Sequence, residues 1–112
     1  MSIQPGPNGD FLTQAGVEQT IGIDGPATVT IVSAQYDGDP SKATVDAQGR
    51  TVRFTPIAGS KDLDITIVSP NLTNKINICD GAPNGQPPTN VIDHKFLEGT
   101  GVDIWSGTMT VS

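Results

Sequence analysis

The chain is poor in the residues on which most active sites and most disulfide-stapled folds depend. Among its 112 residues are one cysteine, one histidine, one tryptophan, one tyrosine and three phenylalanines. A lone Cys79 excludes an internal disulfide, so the fold must hold through packing and hydrogen bonds. One histidine and one cysteine fall short of the ligand set of a zinc site, and no cofactor is expected. Basic residues are also scarce. Six Lys and Arg stand against twelve Asp and Glu, a formal charge of -6 spread singly along the chain. Nucleic acid and anionic lipid are bound through clustered cations, so neither nucleic acid nor a membrane is an expected partner. No apolar run approaches the roughly 20 residues of a membrane span. The opening Met1-Ser2-Ile3-Gln4-Pro5-Gly6-Pro7 lacks the basic and then apolar segments of a secretory leader. Localisation stays open between cytoplasm, virion and export after processing.

What is present is a rhythm of period two. Thr28-Val29-Thr30-Ile31, Thr51-Val52-Arg53-Phe54, Asp62-Leu63-Asp64-Ile65-Thr66-Ile67 and Asn74-Lys75-Ile76-Asn77-Ile78 alternate apolar with polar residues. A strand turns successive side chains to opposite faces, so each run offers one greasy and one wet face. Hydrophobic residues make up only 35% of the chain, enough for a thin aliphatic core between two facing sheets. Thirteen glycines and nine prolines lie mostly between the runs, as many turns joining short strands require. The pattern predicts an all-β, immunoglobulin-like antiparallel sandwich of seven to nine strands. Residues 1–10 read as a flexible N-terminal arm and 11–112 as a single domain.

The expected strands run over 17–24, 27–35, 43–47, 50–56, 62–69, 75–79, 91–98 and 102–111. Val17, Ile21, Ile23, Val29, Ile31, Leu63, Ile65, Ile67, Ile76 and Ile78 are expected inside. The pair 43–47 and 50–56 reads as a hairpin across Gln48-Gly49. The proline-rich stretch 80–90 is the longest loop, and the last two strands are expected to close the domain as a hairpin around Gly99-Thr100-Gly101. The final strand carries a conflict: Val102 and Ile104 share one parity, and Trp105, Met109 and Val111 the other. A bulge near Ser106-Gly107 is expected, since it would exchange the faces and bury both sets; the alternative is that Trp105 stays outside.

Ala43-Thr44-Val45-Asp46-Ala47-Gln48-Gly49-Arg50, followed by Ala58-Gly59 and Leu63-Asp64-Ile65-Thr66-Ile67, resembles the ATVD-x-x-G, AG and ITI elements of the bacterial Ig-like domains of the Big2 type. The resemblance covers about residues 43 to 67. This chain lacks the Trp that precedes the ATVD segment in that family and runs over forty residues past the ITI strand. The resemblance implies an Ig-like sandwich of the kind repeated in adhesins and carried on phage virion proteins, and it transfers no catalytic residue.

Candidate chemistry is sparse. His94 is the one histidine available as a general base, and nothing around any Ser or Cys forms a nucleophile motif, so it reads as a strand histidine. Cys79 reads as a small buried hydrophobe. Asp37-Gly38-Asp39 and Asp62-Leu63-Asp64 offer oxygen ligands at alternate positions but miss the calcium-loop pattern, and turn aspartates account for them. Asn71-Leu72-Thr73 matches a glycan-acceptor sequon. Trp105 and Tyr36 are the only ring platforms on which a sugar could stack alongside Asp37 and Asp39. The chain is therefore expected to be no enzyme but a structural or protein-binding module, decorating a virion or belonging to a bacterial surface assembly. A protein partner is expected, with homo-oligomer formation open. The alternative is a small carbohydrate-binding domain, calcium-assisted, using Trp105, Tyr36, Asp37 and Asp39.

Overall fold

A computed structural model describes residues 4–5, 11–70, 75–80, 90–96 and 101–111. Among these residues are ten strands: β1 (Gln4–Pro5), β2 (Phe11–Thr13), β3 (Gln19–Asp24), β4 (Thr30–Tyr36), β5 (Ala43–Val45), β6 (Thr51–Phe54), β7 (Gly59–Ser69), β8 (Lys75–Asp80), β9 (Asn90–Phe96) and β10 (Gly101–Val111). They form two five-stranded sheets, ordered β1-β2-β10-β7-β4 and β5-β6-β3-β8-β9. All pairings are antiparallel except β2 with β10. The fold is an all-β, immunoglobulin-like sandwich.

The topology carries that description. The immunoglobulin scheme places strands A, B, E and D in one sheet and C, F and G in the other. Here β5-β6-β3 reproduce D-E-B and β4-β7-β10 reproduce C-F-G, with β2 running parallel alongside the last strand. The departure is the β8-β9 hairpin, inserted between F and G, which extends the first sheet on the far side of β3.

That insertion corrects one expectation. The last two strands do not close the domain as a hairpin: β9 pairs with β8 in one sheet, and β10 pairs with β7 and β2 in the other. Sequence neighbours usually pair, and here the chain crosses between sheets instead. The expected turn at 99–101 lies largely outside the described residues, as do most of the loop 80–90, the sequon at 71–73 and the His94 side chain. Of the expected arm, β1 pairs Gln4 with Leu12 and Pro5 with Phe11.

The core follows the alternation. Ile21 and Ile23 from β3, Val52 and Phe54 from β6, Ile76 and Ile78 from β8 and Ile92 from β9 face Ile31, Ala34 and Tyr36 from β4, Leu63, Ile65 and Ile67 from β7, and Trp105 and Met109 from β10. Val17, expected inside, is exposed because it precedes β3 in an irregular bend. Tyr36 and Phe54 bridge the sheets, with ring centroids 5.1 Å apart. The Tyr36 hydroxyl accepts the Ile57 N–H at 3.1 Å, so the one polar atom of this buried ring is satisfied.

The expected bulge at Ser106-Gly107 is absent. The β10/β7 register runs unbroken from Gly101 opposite Ser69 to Val111 opposite Gly59. Trp105 is 3% exposed, whereas Val102 and Ile104 are 68% and 60% exposed. The strand resolves its conflict by burying the larger set. Bulges lie elsewhere: Val32 is the extra residue of β4 between Ile31 and Ser33, and Ile92 that of β9, opposite Ile78 and Cys79.

The β5-β6 hairpin forms where the sequence placed it, with Val45 opposite Val52. Asp46 organises its turn: Oδ1 accepts the N–H groups of Arg50 at 2.6 Å and Thr51 at 2.9 Å. Gly49 has φ +69°, and a Cβ there would lie 2.8 Å from the Ile31 carbonyl oxygen. Its own carbonyl accepts the Ile31 N–H, which docks the turn on the other sheet. Only glycine meets both demands. Arg50 completes the link: Nη1 donates to the carbonyls of Pro26 at 3.0 Å and Val29 at 2.7 Å, and Nη2 to Gly25 at 3.0 Å.

Candidate functional site

The aspartates singled out from the sequence do structural work. Tyr36 and Asp39 exchange backbone hydrogen bonds of 3.2 and 3.0 Å across Asp37 and Gly38, both at positive φ. This is the geometry that an Asp-Gly pair serves in a two-residue turn. The Asp37 carboxylate lies 3.9 Å from Lys42 Nζ and 4.0 Å from Lys61 Nζ. Two ammonium groups stand where a calcium ion would need further oxygens. Asp39 caps the 3-10 turn Pro40–Lys42, its Oδ1 accepting from Ser41 N–H at 2.9 Å and Ser41 Oγ at 2.7 Å. The hydrogen bonds of Ser41, side chain before backbone, hold its carboxyl below the usual carboxylate range. No group of three or more His, Cys, Asp or Glu able to hold a metal occurs among the described residues.

The rings are likewise placed in the core. Tyr36 is 0% exposed and Trp105 3%. Stacking on a sugar requires an accessible ring face, so this corrects the assignment of Trp105 and Tyr36 as a binding platform. Asp37 and Asp39 are left without the ring they were to assist. Cys79 is free and buried. Burial, with the neighbouring charges of Asp24 and Asp80, pushes its thiol up to about 11, which leaves almost no nucleophilic thiolate at neutral pH.

The surface that stands out was not among the predicted residues. On the outer face of the β10-β7-β4 sheet, cross-strand neighbours form a ladder that changes character along its length. At one end Ser60 Oγ lies 3.4 Å from Thr110 Oγ1, and Thr108 Oγ1 donates to Asp62 at 2.9 Å. Next, Asp64 accepts from Ser106 Oγ and, at 3.0 Å, from Gln35 Nε2. Beyond that rung the polar pairs give way to aliphatics. Ile104 lies opposite Thr66 and Val102 opposite the half-buried Val68, while Val32, 56% exposed, bulges from β4 alongside.

A shallow groove of about 290 Å³ follows this boundary, lined by Ser33, Gln35, Asp64, Thr66, Pro40 and Ile104. Asp64 is its one charged group, bonded only by neutral donors in the contacts described above. A second groove of about 390 Å³ lies on the outer face of the opposite sheet, lined by Glu18, Lys42, Thr44, Arg53, Thr55 and Ile57. The signal for the first surface was in the sequence, in the parity conflict of the last strand; only the register decided which set faced out.

No helix among the described residues is long and apolar enough to cross a membrane. No family model, curated protein or solved structure matches the chain.

Proposed function

We propose that the protein is a non-enzymatic structural or protein-interaction module that engages a protein partner through the outer face of its β10-β7-β4 sheet. The observation that carries this reading is the exposure of Val102 and Ile104 on β10, and of Val32 on β4 across β7 from them, at the end of a hydrogen-bonded polar ladder. Exposed aliphatic surface beside a polar rim is the composition of a protein contact. Backbone pairing at the adjacent edge contributes little: Ile31 N–H is bonded to Gly49, Tyr36 N–H to Asp39, and the Val32 bulge interrupts the edge of β4. Contact therefore runs through side chains. The Big2-like stretch spans β5 to β7, which supports a setting in a virion decoration or a bacterial surface assembly.

The test is a photo-crosslinking residue at position 104, with position 60 at the polar end of the ladder as control, in the cell or particle that makes the chain. Protein adducts of discrete mass at 104 and none at 60 are expected. Absence of protein adducts at 104, or equal labelling at both positions, would overturn the reading.

A further inference from the structure

We propose that the groove on the outer face of the β10-β7-β4 sheet receives the opposite outer face of a second copy of this chain, around Arg53 and Ile57, so that copies stack head to tail. The inference rests on the interaction role proposed above and goes further by naming the occupant.

The first observation is the distribution of exposed large aliphatics. The five among the described residues fall into two groups. Val102 and Ile104 share the outer face of β10, where Ile104 lines the first groove, and Val32 bulges from the edge strand β4. Ile57 lines the second, and the Gly16 N–H bonding the Pro56 carbonyl at 3.0 Å holds the Val17 segment beside it. A scatter of single apolar residues needs no explanation, but two patches, each beside a groove, do.

The second observation is charge. On the outer face of the β10-β7-β4 sheet, Asp62 and Asp64 are bonded to Thr108, Ser106 and Gln35, and no described cation lies within ion-pair distance of them. Lys61, which directly precedes Asp62 in sequence, has the other parity and turns to Asp37. On the opposite face Arg53 is exposed and makes no ion pair among the described residues, beside Lys42. A chain of net charge -6 thus sets two carboxylates with no described ion pair on one broad face, and on the other a groove where Arg53 and Lys42 outnumber the single carboxylate of Glu18. The two are complementary in sign and each adjoins aliphatic surface, which favours this pairing over a wrong register.

Placement fixes the kind of assembly. Arg53 and Thr44 project outward from the β5-β6 hairpin of one sheet, while Asp64 and Ile104 project outward from the other. The two surfaces lie on opposite sides of the sandwich. Pairing two copies of the first face would instead set carboxylate against carboxylate. A contact between different patches of the same chain is heterologous and leaves a free face at each end, so it propagates into a stack rather than closing as a dimer.

The experiment is sedimentation velocity over a concentration series, with melting temperatures confirming that every variant folds. Wild type is expected to sediment as particles that grow past the dimer with concentration and shrink with added salt. Asp64→Lys and Arg53→Glu are each expected to weaken association about tenfold, and the double variant to restore it. Gln35→Lys, which sets a cation beside Asp64 while leaving the carboxylate in place, tests the same contact with less disturbance of the ladder and is expected to weaken association as well. Four outcomes overturn the inference: a wild type that stays at 11.6 kDa throughout, a dimer that does not grow, association indifferent to Arg53→Glu, or a double variant no better than either single one. A monomer that still crosslinks to another protein at position 104 would sink the stacking and leave the broader interaction role standing.

Discussion

Arg50 gives the sharpest test of how the two sheets are tied together. Its guanidinium donates to three carbonyls, of Gly25, Pro26 and Val29, at 3.0, 3.0 and 2.7 Å. These belong to the turn between β3 and β4, where the chain leaves one sheet for the other. Burial lowers the tendency of Arg50 to hold its proton, and the charges of Asp24 and Asp46 oppose that, so the cation persists. Hydrogen bonds from a charged donor contribute about 1.5–3 kcal/mol when sheltered. The bond to Gly25 is exposed and counts for little, and the two partly buried ones are discounted because water can replace them in part. Arg50→Met, which keeps the alkyl stem and removes every donor, should therefore cost about 2–3 kcal/mol. For a domain of this size that is a fall of roughly 10 °C in melting temperature.

The assay is thermal unfolding followed by far-ultraviolet circular dichroism, at low protein concentration and neutral pH. Arg50→Lys should recover about half of the loss, since one ammonium cannot span three carbonyls in the fixed geometry of a guanidinium fork. Arg53→Met is the control, because that side chain is exposed and bonded to nothing described; it should stay within about 0.5 kcal/mol of wild type. An Arg50→Met melting point within about 2 °C of wild type would refute the role assigned to the three carbonyl contacts.

Two further predictions follow from register and from charge. Trp105→Ala should cost about 3–5 kcal/mol in urea unfolding and Ile104→Thr no more than about 0.5; similar losses would mean that the last strand does not hold a single unbroken register. For Asp46, burial raises the carboxyl, and the N–H groups of Thr51, Arg50 and Gln48 outweigh it, leaving the folded value below 3.8. A depressed carboxyl stabilises above its unfolded value and loses that contribution as pH falls through its folded one, so the stability gap between wild type and Asp46→Asn should be full at neutral pH and shrink below about pH 4. A gap constant down to about pH 2.5 would refute it.

Most of the fold was legible in the chain because sheets write their burial into alternate residues. Leu63, Ile65 and Ile67, Ile76 and Ile78, and Val29 and Ile31 are all buried as the alternation required. The Gln48-Gly49 turn was legible for a local reason, since positive φ favours glycine. The misplaced features are those that no local rule governs. The destination of β9 depends on which sheet edge is free once β3 and β8 have paired, a choice made across the whole sandwich. The bulge at Val32 has no glycine to announce it, and the bulge expected at Gly107 did not form because that glycine lies on the inward face in a regular ladder opposite Leu63. The candidate site was half legible: the sequence named Trp105 as the residue on which the question turned, but its partners in the question, Val102 and Ile104, proved to be the surface.

The last strand also bears on the interaction proposed for that surface. Its outward positions are Val102, Ile104, Ser106, Thr108 and Thr110, and the strand beside it sends out Ser60, Asp62, Asp64, Thr66 and Val68. Threonine has the branching that strands favour, and it already stands at three of these ten outward positions, Thr66, Thr108 and Thr110. It would serve at positions 102 and 104 as well, with no loss to a core that those side chains do not touch. Each aliphatic side chain left in water forgoes about 1.5–3 kcal/mol that burial would supply. Cross-strand contact with Val68 and Thr66 leaves Val102 and Ile104 68% and 60% exposed, so most of that stabilisation is open to a surface that covers the face, as the proposed interaction would.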